Sequence, residues 1–481
     1  MTPVLGLSPI WGKWQRRDMS RFTNILRPDN GEDATPIALI DKAGFDGWLA
    51  DQPPAVRAAV SAQKFKADAG QKAYLPALGC GMLPVVAGVA DPAALESWAL
   101  AGLAQDLPGG SYRLSVAEPG RAMLGWLLAH YRFARYRSGD EPAEPRILLT
   151  TQVARIAEIE RLAEAIALVR DMVNTPAADM GPEQMEQMAS TLAASHGAEL
   201  HVTRGDMLER EYPLVYAVGR AAARDYAPRL IELFWGDPGH PSIAIIGKGV
   251  SFDSGGLDIK PASAMRLMKK DMGGAAHALA LASLVMAARL PVRLHLLIPA
   301  VENAVAGNAF RPGDIVRSRS GLTVEIENTD AEGRLILADA LTRAGEMEPE
   351  LVLDFATLTG AARVALGADL PALFSTDDAL AASLLAGGID TDDPVWRLPL
   401  YAGYEKMLKS SIADTMNSSA SGFAGAITAA LFLQKFVPTG TAWAHFDTYA
   451  WRPASQPGRP EGGDALGLMA AYAALKARFP R

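Results

Sequence analysis

One cysteine, Cys80, occurs in 481 residues. That excludes an internal disulfide framework and a cysteine-ligated zinc cluster within one chain, and it suits a reducing cytoplasm. Cys80 lies in the Gly- and Leu-rich LPALGCGMLPVV, where a buried structural thiol is expected rather than a nucleophile. No apolar run approaches the about 18 residues of a membrane-spanning helix. The opening MTPVLGLSPIWGKWQRRD places its basic cluster after a short apolar stretch, the reverse of a secretory leader. Excess positive charge is also lacking: the formal net charge is −8, which gives no overall pull toward nucleic acid or an anionic membrane. What is present is 49% apolar and 21% charged residues, a globular composition, at a length that favours two domains.

The fold class expected is α/β. From residue 35 to about 150, the runs TPIALI, MLPVVAGV and RILLTT alternate with the helix-like AALESWALAGLA and AMLGWLLAHYRFARYR. Residues 153–173 carry apolar residues at three- and four-residue spacing and predict one amphipathic helix, ending at Asn174-Thr175-Pro176. Beyond it, SIAIIGKGVSF, RLHLLIPAV, LVLDFATLTG and TAWAHFDTYA alternate with GGAAHALALASLVMAARL, RLILADALTRAGEM and GAITAALFLQKFV. Continuous Ile, Leu and Val separated by helices predict a mainly parallel central sheet flanked by helices. The expected organisation is a smaller N-terminal α/β domain (1–150), a linker helix (151–175) and a larger C-terminal domain (176–481). RPASQPGRPEGGD (452–464) reads as a surface loop.

In parallel sheets ligands bind at the carboxyl ends of the strands, and the polar interruptions fall there. GKGVSFDSGG places Lys248 and Asp253 after SIAII. Its glycines and lysine do not keep the phosphate-loop spacing, and FDSGG lacks the nucleophile elbow that a Ser254–His445 triad needs. LDIKP supplies Asp258 and Lys260, and KKDMGG supplies Lys269, Lys270 and Asp271. NTDAEGR (328–334) then sets Asp330, Glu332 and Arg334 at the threshold of the apolar LILADAL. A helix dipole accounts for the two acids there but not for the arginine. Lys248, Asp253, Asp271, Asp330 and Glu332 put four carboxylates and an amine on one face of one sheet. Uncompensated, they would raise each other's pKa. Two divalent cations would neutralise them: oxygen donors suit magnesium or manganese, and zinc also accepts carboxylates and a neutral amine. Lys248 could ligate only if deprotonated. His277, His295 and His445 are expected to be packed or supporting residues, since none has a partner at HExxH spacing.

GKGVSFDSGG, LDIKP, MKKDMGGAA, RPGD, NTDAEGRLILADAL, DFATLTGA and GAITAALFL resemble the leucine (cytosol) aminopeptidase family of dinuclear metallopeptidases, in order and near its spacing. The match is dense over about 170–450 and thinner in the N-terminal domain. The resemblance implies a catalytic C-terminal domain that releases N-terminal residues from peptides with a free N-terminus. One metal would be held by Asp253, Asp330, Glu332 and the Asp330 carbonyl, and a tighter one by Lys248, Asp253, Asp271 and Glu332. Manganese or zinc is implied, with magnesium or cobalt as alternatives. Lys260 would polarise the scissile carbonyl, and Arg334 would anchor a bicarbonate-type base. Met268, Thr357 and Gly360 match positions lining the pocket for the first side chain. Tyr449 and Arg452 fall where small or apolar lining is commoner, which puts a leucine preference in doubt. A homohexamer (dimer of trimers), a cytoplasmic location and a role in peptide catabolism are implied too. The alternatives are a two-metal hydrolase of another amide or a phosphoester, or a nucleic-acid- or nucleotide-binding protein with a secondary metal site. The acidic balance argues against nucleic acid.

Overall fold

The computed structural model describes residues 21–77, 84–115, 118–139 and 144–480, so Cys80 and the opening MTPVLGLSPIWGKWQRRD lie outside the described residues. Two units divide the chain, Met1–Glu164 and Ala165–Arg481. In the first, the short aliphatic runs form β1 (Leu26–Pro28), β2 (Thr35–Ile40), β3 (Lys72–Tyr74), β4 (Val85–Gly88), β5 (Gly110–Leu114) and β6 (Arg146–Thr150). They pair in the order β1-β6-β5-β2-β4-β3, parallel except at the β3 edge. The helices here are short: α1 (Phe45–Ala50), α2 (Pro54–Ala62), α3 (Ala101–Asp106) and α4 (Met123–Leu128). The helix-like AMLGWLLAHYRFARYR thus stops at Leu128. Trp126 on α4 is fully buried and donates its indole N–H to the Arg146 carbonyl at 2.8 Å.

Residues 153–173 do form one helix, α5 (Val153–Asn174), and the division between the units falls inside it. The amphipathic stripe holds only for its first half. From Ala165 onward Ala167, Val169, Arg170, Met172 and Val173 are all buried, and Arg170 is neutralised by Asp464 at 2.9 Å. The spacing rule missed this because the second half is enclosed on more than one side.

The second unit is built on a sheet comprising β7 (Glu199–Arg204), β8 (Arg229–Trp235), β9 (Ser242–Gly247), β10 (Gly249–Asp253), β11 (Arg293–Asn303), β14 (Leu351–Ala356), β15 (Ala372–Ser375), β16 (Trp396–Arg397) and β18 (Ala442–Asp447). A smaller sheet holds β12 (Ile315–Arg317), β13 (Thr323–Glu325) and β17 (Thr415–Met416). The main order is β16-β15-β18-β14-β9-β11-β8-β7, with β10 alongside β11. Its centre, β18-β14-β9-β11, is parallel, whereas β15 and the β8-β7 flank run antiparallel to their inner neighbours. Every residue of β9 and β14 is buried, as parallel strands covered on both faces require.

Ala244 and Ile246 of β9 pack in the cluster containing Leu335, Ile336 and Leu337 of α11 (Glu332–Gly345). The other face of β9 meets α10 (Gly273–Ala287), which carries no charge and is buried almost all round. Gly247 at the end of β9 makes that approach feasible, because a Cβ there would lie 2.6 Å from Ala275 Cα, and Gly274 does the same against β14, 2.1 Å from the Phe355 carbonyl oxygen. The remaining helices are α6 (Pro182–His196), α7 (Gly205–Glu211), α8 (Pro213–Gly219), α9 (Ala262–Met265), α12 (Gly360–Leu366), α13 (Asp378–Thr391), α14 (Gly425–Gln434) and α15 (Leu468–Arg478).

Two expectations change here. SIAIIGKGVSF is two strands, not one: β9 ends at Gly247, and β10 continues against β11 alone. Lys248 sits at the break, its N–H donating to Phe355 O at 3.0 Å and its carbonyl accepting from Ala275 N at 2.8 Å. RPASQPGRPEGGD is a small hairpin. β19 (Trp451–Arg452) pairs with β20 (Gly462–Gly463), and at its buried base Arg452 and Asp464 offset each other's charge in an ion pair at 2.9 Å.

Candidate metal centre

Five chain segments meet where β9 gives way to β10. Lys248 comes from the break itself, and Asp253 ends β10. Asp271 sits in the single 3₁₀ turn Met268–Met272 ahead of α10. Lys260 lies in the loop after β10, while Asp330 and Glu332 straddle the start of α11. Carboxylate oxygens of Asp253, Asp330 and Glu332 lie within 4.8 Å of one another. The Lys248 ammonium is 2.7 Å from Asp271 and 2.9 Å from Glu332, and it donates to Thr357 O at 3.1 Å. Lys260 bridges Asp253, at 2.8 Å, and Asp330.

Backbone and neutral side chains aim these groups. Asp253 Oδ1 accepts from Gly255 N at 2.9 Å and from Asn303 Nδ2 at 2.8 Å. Asp271 Oδ1 accepts from Thr357 Oγ1 at 2.8 Å. The loop carrying Lys260 is tied to the loop carrying Asp330 by a reciprocal pair. Thr329 N donates to Asp258 Oδ2 at 2.7 Å, and Asp258 N donates to Thr329 Oγ1 at 2.9 Å. Gly333 lets Lys248 cross the start of α11, since a Cβ there would stand 2.5 Å from Lys248 Cε.

Crowding of the acids has the expected electrostatic result. Burial, then the Asp253 charge, pushes Glu332 up to about 8 and Asp330 up to about 6. Lys248 and Lys260 are driven the other way from what burial alone would do. Asp271 and Glu332 raise the first, and Asp253, Glu332 and Asp330 raise the second. Burial works against ionisation of Asp271, but Lys248 and Lys270 outweigh it and hold its pKa down. Glu332 Oε2 is buried with no hydrogen-bond partner among the described residues. Glu332 Oε1 and Asp271 Oδ2 lie within ion-pair distance of Lys248, but neither accepts a well-directed hydrogen bond. Buried oxygens left in this way are costly, and divalent cations match both their charge and their open lone pairs. The donor set of hard oxygens plus one lysine nitrogen therefore fits metal ions. Within the protein's own field Lys248 is an ammonium, so it would have to release its proton to ligate.

Arg334 is buried in the first turn of α11. Its Nη1 donates to Asn417 O at 2.7 Å, its Nε has no partner among the described residues, and burial lowers it to about 10. A planar guanidinium with a free edge suits a planar anion such as bicarbonate.

The residues expected to line a pocket are placed unequally. Met268 is half-buried at the start of the 3₁₀ turn, and Gly360 is exposed at the start of α12, where a Cβ would stand 4.0 Å from Arg363 Nη2. Thr357 serves the carboxylate cluster through both its hydroxyl and its carbonyl. Tyr449 is half-buried between two cations, with its ring 5.1 Å from Lys270 Nζ and 4.7 Å from the Arg363 guanidinium. Arg452 is committed elsewhere, to Asp464 at 2.9 Å and Asp369 at 2.8 Å, which makes it a buried structural cation. The histidines are occupied as well. His277 Nδ1 lies 2.7 Å from Gly273 O and His295 Nε2 3.0 Å from Glu232, while His445 Nδ1 is 2.5 Å from Asp354. Ser254 Oγ donates to Asn303 O at 2.7 Å.

Sequence reasoning overlooked Asn303 and Asn417. Asn303 follows the apolar LLIPAV of β11 and Glu302, a polar strand end that could have been read. Asn417, in the polar DTMNSS, carries no signal at all. Both are fully buried.

The model of the cytosol aminopeptidase family catalytic domain matches residues 167–471, and that of the M17 aminopeptidase N-terminal domain matches 35–149. The chain belongs to the cytosol aminopeptidase family. It is accordingly an aminopeptidase, a hydrolase of peptides. Among similar proteins of this family, the probable cytosol aminopeptidase of Syntrophotalea carbinolica is 43% identical over 361 residues, 72% of each chain. Peptidase B of Pectobacterium atrosepticum is 44% identical over 304 residues, covering 61% of this chain and 69% of its own. The 1.8 Å crystal structure of the Coxiella burnetii cytosol aminopeptidase superposes with a TM-score of 0.89 at 44% identity, over 95% of this chain and 99% of that one. The bottromycin maturation enzyme BotP in complex with Mn gives 0.83 at 34% identity, over 93% of this chain and 100% of its own. No helix among the described residues is long and apolar enough to cross a membrane.

Proposed function

We propose that this aminopeptidase holds two divalent ions, manganese or zinc, through Lys248, Asp253, Asp271, Asp330 and Glu332, and that Lys260 and Arg334 are its catalytic residues. The observation that carries this reading is the convergence of Asp253, Asp330 and Glu332 within 4.8 Å, with the Lys260 ammonium 2.8 Å from Asp253. Bound there, the ions would supply Lewis-acid activation of water and of the peptide carbonyl, and a bicarbonate-type anion a base. Lys260 stays charged because Asp253 and Asp330 flank it, so it can donate to the carbonyl oxygen of the bond being cut and hold the negative charge that develops. Arg334, with Nη1 pinned to Asn417 O and Nε left without a partner among the described residues, would hold such an anion. Asp253 and Glu332, both buried, would contribute carboxylate oxygens to holding the ions. The physiological substrates are peptides with a free N-terminus, and the enzyme works as a homohexamer in the cytoplasm, independent of membrane or nucleic acid.

The test is a panel of aminoacyl anilides and their N-acetylated counterparts, assayed with metal-loaded wild type, Lys260→Ala and Asp330→Asn. Free-amine substrates should be cleaved and acetylated ones should not, and both variants should be severely impaired. Equal cleavage of acetylated substrates, or activity indifferent to both substitutions, would sink the assignment.

A further inference from the structure

Beside the carboxylate cluster stands a buried cation that the proposed chemistry does not use. Lys270 is 5% exposed, and its Nζ makes no hydrogen bond among the described residues. Its ion-pair partner, Asp271 Oδ1, is 3.7 Å away and already accepts from Thr357 Oγ1 at 2.8 Å. The other oxygen of Asp271 faces Lys248 at ion-pair distance, 2.7 Å. On its far side Lys270 faces the Tyr449 ring, and the exposed Arg363 of α12 covers that same ring. An ammonium has three protons to place; here the stem is buried, no protein acceptor meets the tip among the described residues, and the tip is not sealed from solvent, so its protons are open to an entering acceptor. Two cations about one aromatic ring, with the local carboxylate already shared, make an anion-seeking corner.

The position of that corner names the anion. Lys260 serves the Asp253 and Asp330 side of the cluster. Lys270, adjacent in sequence to Asp271, serves the other side, where Thr357, Tyr449 and the start of α12 gather. Resting on the aminopeptidase reading above, we propose that Lys270, assisted by Arg363, is a specificity-determining residue that selects peptides beginning with an acidic residue, Asp or Glu. The substrate's side-chain carboxylate accepts the hydrogen bonds that Lys270 lacks. Tyr449 forms the apolar wall along its methylenes.

Isosteric pairs isolate the charge. Glutamyl and glutaminyl anilides, and aspartyl and asparaginyl anilides, differ in charge but hardly in size. The wild-type enzyme should favour the acid of each pair in kcat/KM by about ten- to hundredfold, the range of a charge-assisted hydrogen bond. In Lys270→Met that ratio should fall to near one. Arg363→Gln alters an exposed side chain whose loss does not threaten folding, and it should lower the ratio by about two- to fivefold. A wild-type ratio near one, or a ratio that survives Lys270→Met, overturns the inference while leaving the aminopeptidase assignment intact. Failure of the wild type to cleave any free-amine anilide sinks both.

Discussion

Asn417→Ala should loosen the NTDAEGR loop without touching a proposed ligand. The Asn417 carboxamide accepts from Glu327 N at 2.8 Å and Asn328 N at 3.2 Å, and donates to Asn328 O at 2.7 Å and Ala331 O at 3.3 Å. It is fully buried, so truncation leaves two amides and two carbonyls in a cavity the size of the lost group. The carbonyls keep a second lone pair and a water can enter, which spares part of the cost. With about 1 kcal/mol for each of the two short bonds and a similar penalty for the stranded amides, the loop should lose roughly 2–4 kcal/mol. Amide hydrogen exchange reads this locally, whether or not the whole chain unfolds in one step: Glu327 and Asn328 should exchange about 30- to 900-fold faster in the variant. Since Asp330 and Glu332 hang from this loop and Arg334 is pinned to the Asn417 carbonyl, kcat should fall by roughly a hundredfold. Unchanged protection of those two amides, or a kcat within twofold of wild type, would refute the idea that the carboxamide holds the loop.

Other consequences are as direct. Lys260→Ala should lower kcat/KM by about two to three orders of magnitude in the anilide assay, as loss of an oxyanion donor does. Gly333→Ala would drive a methyl into the Lys248 stem, 2.5 Å from Cε, and calorimetric titration with Mn²⁺ should show weakened binding. Leu279→Ala, at a fully buried position of α10, should cost about 2–5 kcal/mol in urea denaturation, with metal binding retained by the folded protein. His277 accepts from Leu466 N at 3.0 Å, so its imidazole must stay neutral, and burial lowers it to about 4 from an ordinary 6.5. The unfolded chain therefore binds the extra proton first. The stability this group contributes is complete above pH 6.5 and is lost as pH falls toward 4, by about 2 kcal/mol between pH 7 and 5. Urea midpoints at those two pH values should differ less in His277→Gln than in wild type.

The alternation of aliphatic runs with apolar helices was enough to assign an α/β chain, because continuous Ile, Leu and Val in strands such as Leu351–Ala356 make sense only when both faces are covered. Local pattern also exposed the chemistry. A carboxylate pair with an arginine at the head of an apolar helix has no packing rationale, and Lys248 interrupts an otherwise apolar run. What pattern cannot carry is pairing between distant segments. That Lys248 breaks β9 from β10 depends on Phe355 and Ala275 capturing its backbone. That Arg452 is a structural cation depends on Asp464, twelve residues on, and on Asp369 far back in the chain. That Asn417 holds the loop of Asp330 from 89 residues away in sequence, and that Lys270 is left beside Asp271 without an acceptor, are results of tertiary packing alone. The sequence by itself determined which residues could not be core. Only the folded chain decided which of them face one another, because hydrogen bonds and charge pairs act over a few ångströms of space and not along the sequence.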